Sequence, residues 1–598
     1  MEKQKLRSEI DDKYKWDLTS IFSSDDEFLN EIEILKMDIQ KIKLYEDNFI
    51  NSGEKLYELL NLTNNLEARI DKVYLYAHLH SDEDISNNKY QTYNGYAINL
   101  YDEYSKISSF IIPILMKYNY SKIEELYKEY PKLKDEYEFL LENIYRYKKY
   151  TLDENIEKTL SSLTKAFDNS EEIFSILTDS DFTFDNIKLK DGKEVELTNS
   201  NYSIYISSND RNERKQAFET LYKTYKKYSN TIAKCLSNTV ESNVSMSKLR
   251  GYKDTLNEAL FSDNIEESIY YNLIDTVEKN LNPLFKYYDL KKKLLNLDEI
   301  HIYDMHAPVI KNNKKYTFEE AKEIIKNALK IFGEDYSNVV EKAFNEKWMD
   351  VYNNKGKRGG AYSSGGYLTN PFLLLNFEGE YDDVSALIHE LGHSIHTYYS
   401  TKNNPYQYHD YKIFVAEVAS TVNELLLANY ILNNSNDKTE KIMVLNELLD
   451  LYNATLFRQT MFAKFEKEIY NAVENNEILT SDYLCDKYYQ INKKYFGDDV
   501  ILDDDIKYEW SRIPHFYNFF YVYKYATSIC ASTYIVNEIL KGNEEVKEKY
   551  LKFLTLGSSM YPIDELKTIG IDMNDKKIIE ETIKYFENTL NKFEKLYE

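Results

Sequence analysis

Two histidines and a glutamate occur at a spacing that can hold and use a metal ion. His389 and His393 are four residues apart, and Glu390 follows the first of them directly. On an α-helix, side chains at this spacing lie one turn apart on the same face, so both imidazoles can bind one cation. Imidazole is a preferred zinc ligand, and a glutamate beside it can act as general base toward a metal-activated water. The pattern predicts a zinc site that hydrolyses peptide bonds.

A catalytic zinc site needs a third protein ligand and an open position for water. Glu417 lies on a second predicted helix, whereas His396 follows His393 by only three residues. One helix can hardly direct three successive side chains to a single ion without strain, so we favour Glu417 as the ligand. His396 is then expected to support a ligand or to face the substrate. Glu424, two turns after Glu417, either orients a ligand or is an ordinary solvated side chain.

The candidate residues fall on predicted helices that follow a glycine-rich segment. Apolar residues at helical spacing predict helices over 383–400, 412–432, 440–475 and 515–541. Residues 358–367 are the most glycine-dense part of the chain, and the apolar run 371–377 comes directly after them. We therefore expect a turn and then a strand immediately before the motif helix.

The rest of the chain also reads as mostly helical. Residues 14–180 show the apolar spacing of a series of amphipathic helices. Alternating residues within 181–206 predict a small β-hairpin, and a second β-prone segment covers 301–310. The sequence pattern changes from helical spacing to alternation near the hairpin. This change suggests two domains, an N-terminal helical domain over 1–195 and a catalytic domain over 196–598.

Composition limits the classes of partner. The chain has 598 residues, with 101 acidic and 75 basic side chains and a net charge of −26. A field of this sign repels nucleic acid and anionic membranes, so we expect neither as a partner, and no obligate protein partner is indicated. The three cysteines are far apart in the sequence, which fits a reducing compartment. No apolar run is long enough to span a bilayer, and we expect a cytoplasmic protein.

Four segments carry motifs that are specific in combination: Gly360–Gly365, His389–His396, Ile413–Thr421 and Arg512–Tyr517. Together they resemble oligoendopeptidase F, in the thimet oligopeptidase family of zinc peptidases, and weaker matches extend over nearly the whole chain. The resemblance implies a mainly α-helical, prolate body with a deep substrate channel and a few short β-strands near the zinc site. Such a channel excludes folded proteins, so the substrates would be short unstructured peptides that are cut internally.

The resemblance also implies roles for individual residues. It gives Glu417 as the third ligand of one zinc ion per chain. It further implies that a histidine and a tyrosine of the segment after His515 stabilise the negative oxygen that forms on the attacked carbonyl. Spacings differ between branches of the family; we expect His515 and Tyr525 in this role, with Tyr521 as the next choice. In a chain with 57 tyrosines, any one of them is more often a packing residue.

Gly360, Ala361 and Tyr362 are predicted to form an exposed strand edge that binds the substrate backbone by strand addition. A plain surface loop is the alternative for this segment. Two other functions are also compatible with the sequence: a zinc carboxypeptidase or dipeptidase on a related helical fold, and a non-catalytic peptide-binding protein. Glu390 argues against the last, because binding alone does not need it. Cobalt and manganese are alternatives to zinc.

Overall fold

Helices make up most of the chain. The computed structural model describes residues 4–310 and 314–598, and the side chains of residues 164–166 and 168 lie outside this description. The α-helices are α1 Asp25–Ile39, α2 Gly53–Glu83, α3 Asn88–Ser108, α4 Ile111–Lys117, α5 Tyr120–Glu129, α6 Pro131–Arg146, α7 Glu154–Ile176, α8 Tyr202–Ile206, α9 Arg211–Arg250, α10 Thr255–Phe261, α11 Glu267–Lys279, α12 Asn282–Leu294, α13 Phe318–Leu329, α14 Glu334–Asn345, α15 Tyr381–Asn403, α16 Ile413–Asn434, α17 Lys438–Tyr452, α18 Arg458–Glu474, α19 Ser481–Phe496, α20 Tyr523–Leu540, α21 Glu544–Phe553, α22 Pro562–Ile569 and α23 Lys576–Tyr597.

The strands of the described residues are short. They are β1 Asn186–Lys188, β2 Glu194–Glu196, β3 Ile300–His301, β4 Met349–Asp350, β5 Tyr362–Ser364, β6 Phe372–Leu374 and β7 Val500–Ile501. The mainly α-helical fold class predicted from the sequence is confirmed. In the two described ranges, no helix is both long and apolar enough to cross a membrane.

The chain forms two compact units. The first unit comprises Met1–Thr151, Lys314–Ile431 and Ile535–Gly570, and the second comprises Leu152–Asn313, Leu432–Tyr534 and Ile571–Glu598. Each unit is therefore assembled from three separate stretches of sequence. The predicted division into continuous domains at residue 195 stays a prediction.

The core of the first unit is built mainly by the N-terminal helices. Apolar side chains at helical spacing on α1, α2 and α5 are fully buried, for example Leu35, Leu59 and Leu126. Phe372 and Leu374 of β6 belong to the same core. Burial of these side chains removes a large apolar surface from water, which is the main force that stabilises the unit.

A three-stranded sheet in the first unit precedes the motif helix. Its strand order is β4-β6-β5, with β4 parallel and β5 antiparallel to the central strand β6. All three residues of β6 are fully buried, as expected for the apolar run 371–377. The turn and strand predicted before the helix are confirmed, and the glycine-dense segment contributes β5 as a further strand at the sheet edge.

The second unit contains the predicted hairpin. Strands β1 and β2 pair in antiparallel register, with Ile187 opposite Val195, and Gly192 in the turn has φ +86°. A left-handed conformation of this kind favours glycine. The long helix α9 begins after Asp210, whose side chain accepts from the amides of its first turn, and ends at Gly251 with φ +81°.

The β-prone segment predicted over 301–310 is mostly wrong. Only Ile300–His301 is a strand, and it pairs with β7. A 3₁₀ turn follows at Ile302–Asp304 because the Asp304 carboxylate accepts from the amide of His301 at 3.1 Å. Asp304 is fully buried and forms an ion pair with Arg214 at 2.7 Å, so this local capping outweighs the β-propensity of the sequence.

Two of the predicted site helices are regular and two are not. Helices α15 and α16 confirm the predictions for 383–400 and 412–432. The predicted helix over 440–475 is interrupted by a π-helical turn at Asn453–Phe457. The prediction for 515–541 is wrong at its start, because α20 begins only at Tyr523. A 3₁₀ turn at Pro514–Tyr517 and a left-handed residue, Phe520, come before it.

Candidate active site

Helix α15 presents the two motif histidines because its opposite face is buried. The Asp383 carboxylate accepts hydrogen bonds from the amides of Glu378 and Glu380, each at 2.9 Å, and so fixes the start of the helix. The apolar face is fully buried and consists of Val384, Leu387, Ile388, Leu391 and Ile395. His389 and His393 lie one turn apart on the face that remains, as the helical period predicts.

Gly392 allows α16 to pass directly against α15. A Cβ atom at this position would lie 2.7 Å from Ser420 Cα and 2.9 Å from the carbonyl oxygen of Ala419. These distances are shorter than van der Waals contact, so any larger residue would push the two helices apart. Because the helices touch here, Glu417 of α16 reaches the histidines of α15. This role of Gly392 was not predicted, although the glycine lies inside the motif between Glu390 and His393.

The structure brings three predicted metal ligands together. His389 Nε2 and His393 Nε2 are 3.2 Å apart, and Glu417 Oε2 lies 3.4 Å from the first and 3.5 Å from the second. Zinc binds such ligands at about 2.0–2.1 Å in tetrahedral geometry, which requires the ligand atoms to be about 3.3 Å apart. The spacing of the three atoms therefore suits a metal ion held between them and is compatible with tetrahedral zinc.

Glu424 contacts the edge of the His389 ring that points away from Glu417. Its Oε2 atom lies 3.2 Å from His389 Nδ1, and its Oε1 atom accepts from the hydroxyl of Ser385 at 3.2 Å. A proton held on Nδ1 by this carboxylate leaves the Nε2 lone pair free for a cation. The Ser420 hydroxyl supports Glu417 in the same way, because it donates to Oε2 at 3.0 Å. Ser420 was missed, although its position one turn after Glu417 was a signal.

Charges at the site favour a cation. Burial lowers the pKa of His389, but the adjacent carboxylates of Glu424 and Glu417 outweigh burial and raise this pKa well above its usual value. Burial would raise the pKa of Glu417, but hydrogen bonds and charge from His389 and His393 lower it well below the usual range. The carboxylates around the two imidazoles thus favour a positive charge at this place, and a divalent cation would supply it.

Glu390, the predicted general base, lies between the helix and the edge strand. Its residue surface is only 9% exposed, and burial raises the pKa of its carboxyl group, while the histidines beside it oppose the shift. The amide of Ser363 on β5 donates to this carboxylate. The hydroxyl of Ser363 also contacts that of Ser394 at 2.8 Å, so β5 is fixed to α15 next to Glu390.

The predicted substrate-binding segment leads into the edge strand. Tyr362 is the first residue of β5, and Gly360 and Ala361 come immediately before it. The Tyr362 hydroxyl donates to Asp82 at 2.7 Å, and the Asn376 amide donates to the carbonyl of Gly360 at 2.7 Å. These contacts hold the segment at the edge of the sheet, where β5 pairs with β6 alone among the described strands. The role of the three residues in substrate binding stays a prediction.

His396 lies outside the group of three ligand atoms. It is 1% exposed, and its ring stacks on Tyr411 with centroids 3.7 Å apart and planes within 4°. Burial, together with the neighbouring His393, lowers its pKa to about 3, so its imidazole is neutral. The Tyr411 hydroxyl contacts Thr397 at 3.0 Å and the carbonyl of His393 at 3.4 Å. His396 thus supports the chain that carries His393, and no signal in the sequence indicated Tyr411.

Three predicted donors form a second group, in the second unit. The His515 ring lies 6.1 Å from that of Tyr521 and 6.2 Å from that of Tyr525, and the two tyrosine hydroxyls are 3.3 Å apart. Burial lowers the pKa of His515, which favours a neutral imidazole with an N–H to donate. Tyr523, which lies between the two tyrosines in the sequence, is 1% exposed and packs in the core.

Known proteins and solved structures match the chain over nearly its full length, and two family models match large parts of it. The sequence model of peptidase family M3 matches residues 204–585, and that of oligopeptidase F matches residues 115–184. Oligopeptidase PepF of Bacillus subtilis is 40% identical over 591 residues, which cover 99% of this chain and 88% of the relative. A crystal structure from Chlamydophila abortus has a TM-score of 0.90 at 34% identity, with 99% and 100% of the two chains covered. Oligoendopeptidase-F from Enterococcus faecium has a TM-score of 0.75 at 31% identity, with 96% and 99% covered.

These matches agree with the metal-binding geometry of the site. The M3 match includes both helices that carry His389, His393 and Glu417. The resemblance to oligoendopeptidase F noted in the sequence is confirmed. The chain belongs to peptidase family M3, as a member of the oligoendopeptidase F group of metallo-oligopeptidases.

Proposed function

We propose that this peptidase is a zinc-dependent endopeptidase that cuts internal bonds of short, unstructured peptides. The observation that carries the proposal is the triangle of His389, His393 and Glu417, whose ligand atoms are 3.2, 3.4 and 3.5 Å apart. This spacing suits tetrahedral zinc, with one zinc ion per chain. Glu424 orients His389, and His396 supports the backbone of His393.

The proposed mechanism uses Glu390 twice. Zinc, when bound, supplies a Lewis acid that lowers the pKa of a water and polarises the peptide carbonyl. Glu390 accepts the proton of the attacking water and then delivers it to the leaving amine. A carboxyl group that is largely shielded from solvent and lies next to the metal ligands is well placed to hold this proton between the two steps.

His515 and Tyr525 donate hydrogen bonds to the oxygen that becomes negative in the transition state. Donors that are already oriented stabilise this charge without reorganising during the reaction. The Tyr525 hydroxyl donates to that of Tyr521 at 3.3 Å, which holds the two phenols together. In the transition state Tyr525 would turn its O–H from Tyr521 to the substrate oxygen, or Tyr521 would donate in its place.

The substrate backbone adds to the edge of β5 that no described strand covers, near Gly360, Ala361 and Tyr362. Strand addition uses main-chain hydrogen bonds, so it tolerates many sequences. Names of relatives, oligopeptidase and oligoendopeptidase, support short peptides as substrates. The net charge of −26 disfavours nucleic acid and anionic membranes as partners. No obligate protein partner is proposed.

Metal analysis combined with product mapping tests the proposal. We expect one zinc per purified chain, and we expect cleavage at internal bonds when a peptide of about ten residues is digested and the fragments are identified by mass. Release of terminal residues or dipeptides alone would favour a carboxypeptidase or dipeptidase. Binding of the peptide without turnover by the zinc-loaded protein would favour a peptide-binding protein. Full activity only with manganese or cobalt would contradict the zinc assignment.

We also propose that the protein works in the cytoplasm. Its three cysteines, Cys235, Cys485 and Cys530, are buried and form no disulfide, which suits a reducing compartment. Cell fractionation tests this point. Peptidase activity should follow a cytoplasmic marker enzyme, and recovery of the protein in the secreted fraction would contradict the proposal.

A further inference from the structure

The segment that carries the proposed donors contains a strained turn. Between the 3₁₀ turn Pro514–Tyr517 and helix α20, Phe520 adopts φ +48°. L side chains rarely take this left-handed conformation, and it persists where surrounding contacts determine it. The next residue is Tyr521, and its amide donates to the carbonyl of Asn518 at 3.2 Å. The geometry of Phe520 therefore fixes the direction in which Tyr521 leaves the turn.

A buried carboxyl group holds this turn from a neighbouring helix. The amide of Phe520 donates to Glu466 Oε1 of α18 at 2.7 Å. Glu466 is fully buried, and its Oε2 atom has no hydrogen-bond partner among the described residues. Burial raises the pKa of Glu466 well above its usual value, which favours the neutral acid, and Oε1 can accept from the amide in either protonation state.

Aromatic packing around the turn leaves Glu466 as its polar anchor. The Phe520 ring lies 5.7 Å from the ring of Tyr270 and 4.7 Å from that of Tyr470. The Tyr270 hydroxyl is directed away from the turn, because it donates to the carbonyl of Ala463 at 2.7 Å. An unpaired amide in such surroundings would be costly, so the acceptor supplied by Glu466 favours this particular backbone conformation.

We propose that Glu466 is a positioning residue for catalysis: it holds the left-handed turn at Phe520 that presents Tyr521 to Tyr525. The inference rests on the proposed role of His515 and Tyr525 as donors to the transition state. A glutamate with a purely structural role would stabilise the unit without affecting these side chains. Positioning instead predicts a specific loss of kcat, with substrate affinity and metal content unchanged.

Two variants of Glu466 and a matched control separate these roles. Glu466→Gln keeps the acceptor oxygen, whereas Glu466→Leu removes it. The control is Asn492→Leu on α19, because Asn492 is equally buried and its amide, among the described residues, bonds within its own helix, to Tyr488. We expect Glu466→Leu to lower kcat about 10- to 100-fold, less than the loss of a whole oxyanion donor. Glu466→Gln should stay within about 3-fold of wild type, and Asn492→Leu should lower Tm without lowering kcat.

A double-mutant cycle shows whether the effect passes through the tyrosines. In a Tyr521→Phe/Tyr525→Phe background, Glu466→Leu should change kcat by less than about 3-fold, because its target is already gone. An equal loss in both backgrounds would overturn the proposal. So would a Glu466→Leu protein with the kcat of wild type, or one whose kcat falls only as far as that of Asn492→Leu at the same loss of Tm.

Hydrogen exchange tests the anchor without any activity assay. In the wild-type protein, the Phe520 amide should exchange as slowly as amides in the middle of α20, and Glu466→Gln should preserve this protection. Rapid exchange in wild type would overturn the proposal even if Glu466→Leu does not fold.

The activity of Tyr525→Phe distinguishes failure of the proposed function from failure of this inference. If Tyr525→Phe has full activity, the donor role fails, and the proposed positioning for catalysis fails with it, although protection of the amide persists. If Tyr525→Phe is impaired but Glu466→Leu is not, the positioning inference fails alone.

Discussion

The metal-ligand group of the first unit and the donor group of the second unit are both compact, but different structures hold them. His389, His393 and Glu417 lie on two regular helices that touch at a glycine. His515, Tyr521 and Tyr525 lie along a 3₁₀ turn, a left-handed residue and the first turn of a helix. Regular helices fix the ligands through their period, whereas the donors depend on tertiary contacts to an irregular segment.

This difference suggests that the two groups have separate roles, one in metal binding and the other in the rate of the reaction. Experiments can test this separation. Changes in the ligand group should alter metal content, and activity should fall with it. Changes in the donor group should alter the rate of a protein that keeps its metal, because a transition-state donor does not bind the ion. Zinc content and kcat, measured on the same preparations, place each residue in one group or the other.

Replacing a ligand should have the largest effect. Glu417→Ala removes one of three protein ligands, so we expect the purified chain to lose its zinc and its activity to fall to the level of metal-free protein. The loss should exceed the 10- to 100-fold effect of removing a group that only orients a ligand. Elemental analysis and a peptide-cleavage assay check this result. Full zinc content in Glu417→Ala would show that the third ligand has been assigned wrongly.

Replacing a donor should lower the rate and leave the metal in place. Tyr525→Phe removes a hydroxyl that we expect to stabilise the developing oxyanion, so kcat should fall about 100- to 1,000-fold. Tyr521→Phe should have a smaller effect, since Tyr521 acts through Tyr525. Zinc content should equal that of wild type in both variants. A greater loss of kcat with Tyr521→Phe would show that Tyr521, not Tyr525, is the donor. A loss of zinc with either variant would show that the donor group also contributes to metal binding.

Replacing Glu424 should weaken metal binding without abolishing it. The Glu424 carboxylate contacts His389 Nδ1, and removing an orienting group of this kind costs about 10- to 100-fold in metal affinity. Zinc affinity of Glu424→Ala can be measured by competition with a chromogenic chelator. Ser385→Ala is the graded control, because Ser385 donates to the oxygen of Glu424 that is not the one nearest His389, and its loss should have a smaller effect. An unchanged zinc affinity in Glu424→Ala would show that Glu424 does not orient His389.

The smallest effect is expected at the contact between the two ligand helices. An added Cβ in Gly392→Ala would lie 2.7 Å from Ser420 Cα, so the free energy of unfolding should fall by about 1–3 kcal/mol. Gly95 of α3 provides a control of opposite sign, since an added Cβ there meets nothing within 4 Å. Gly95→Ala should stabilise the protein by about 1 kcal/mol through helix propensity. Denaturant unfolding measures both, and equal shifts would refute the close-contact interpretation.

The geometry of the metal-ligand group could be predicted from the sequence, whereas that of the donor group could not, for a physical reason. The proximity of His389 and His393 follows from a four-residue spacing on a helix, and α15 and α16 lie where apolar periodicity put them. A continuous helix over 515–541 would bring Tyr521 and Tyr525 together on one face, because they are four residues apart. They do meet, but through a turn that no local pattern encoded, because Glu466, the residue that holds it, is distant in sequence.

Predictions that depended on local capping or on long-range packing were the weakest. The segment after His301 has β-forming residues, yet the buried carboxylate of Asp304 turns it into a 3₁₀ helix. The contact at Gly392 and the composition of each unit from three stretches of chain depend on tertiary structure. The spacing of apolar residues in the sequence indicates which face of a helix or strand is buried, but it does not indicate which other element covers that face.

The central claim is that Glu390 acts as the base at a zinc site formed by His389, His393 and Glu417. The most direct measurement compares the turnover of an internally quenched peptide by wild type and Glu390→Gln, with the zinc content of both determined. We expect one zinc per chain in each protein and a kcat about 100- to 10,000-fold lower in the variant, the range for losing a general base. Equal turnover at equal zinc content would show that Glu390 is not the base.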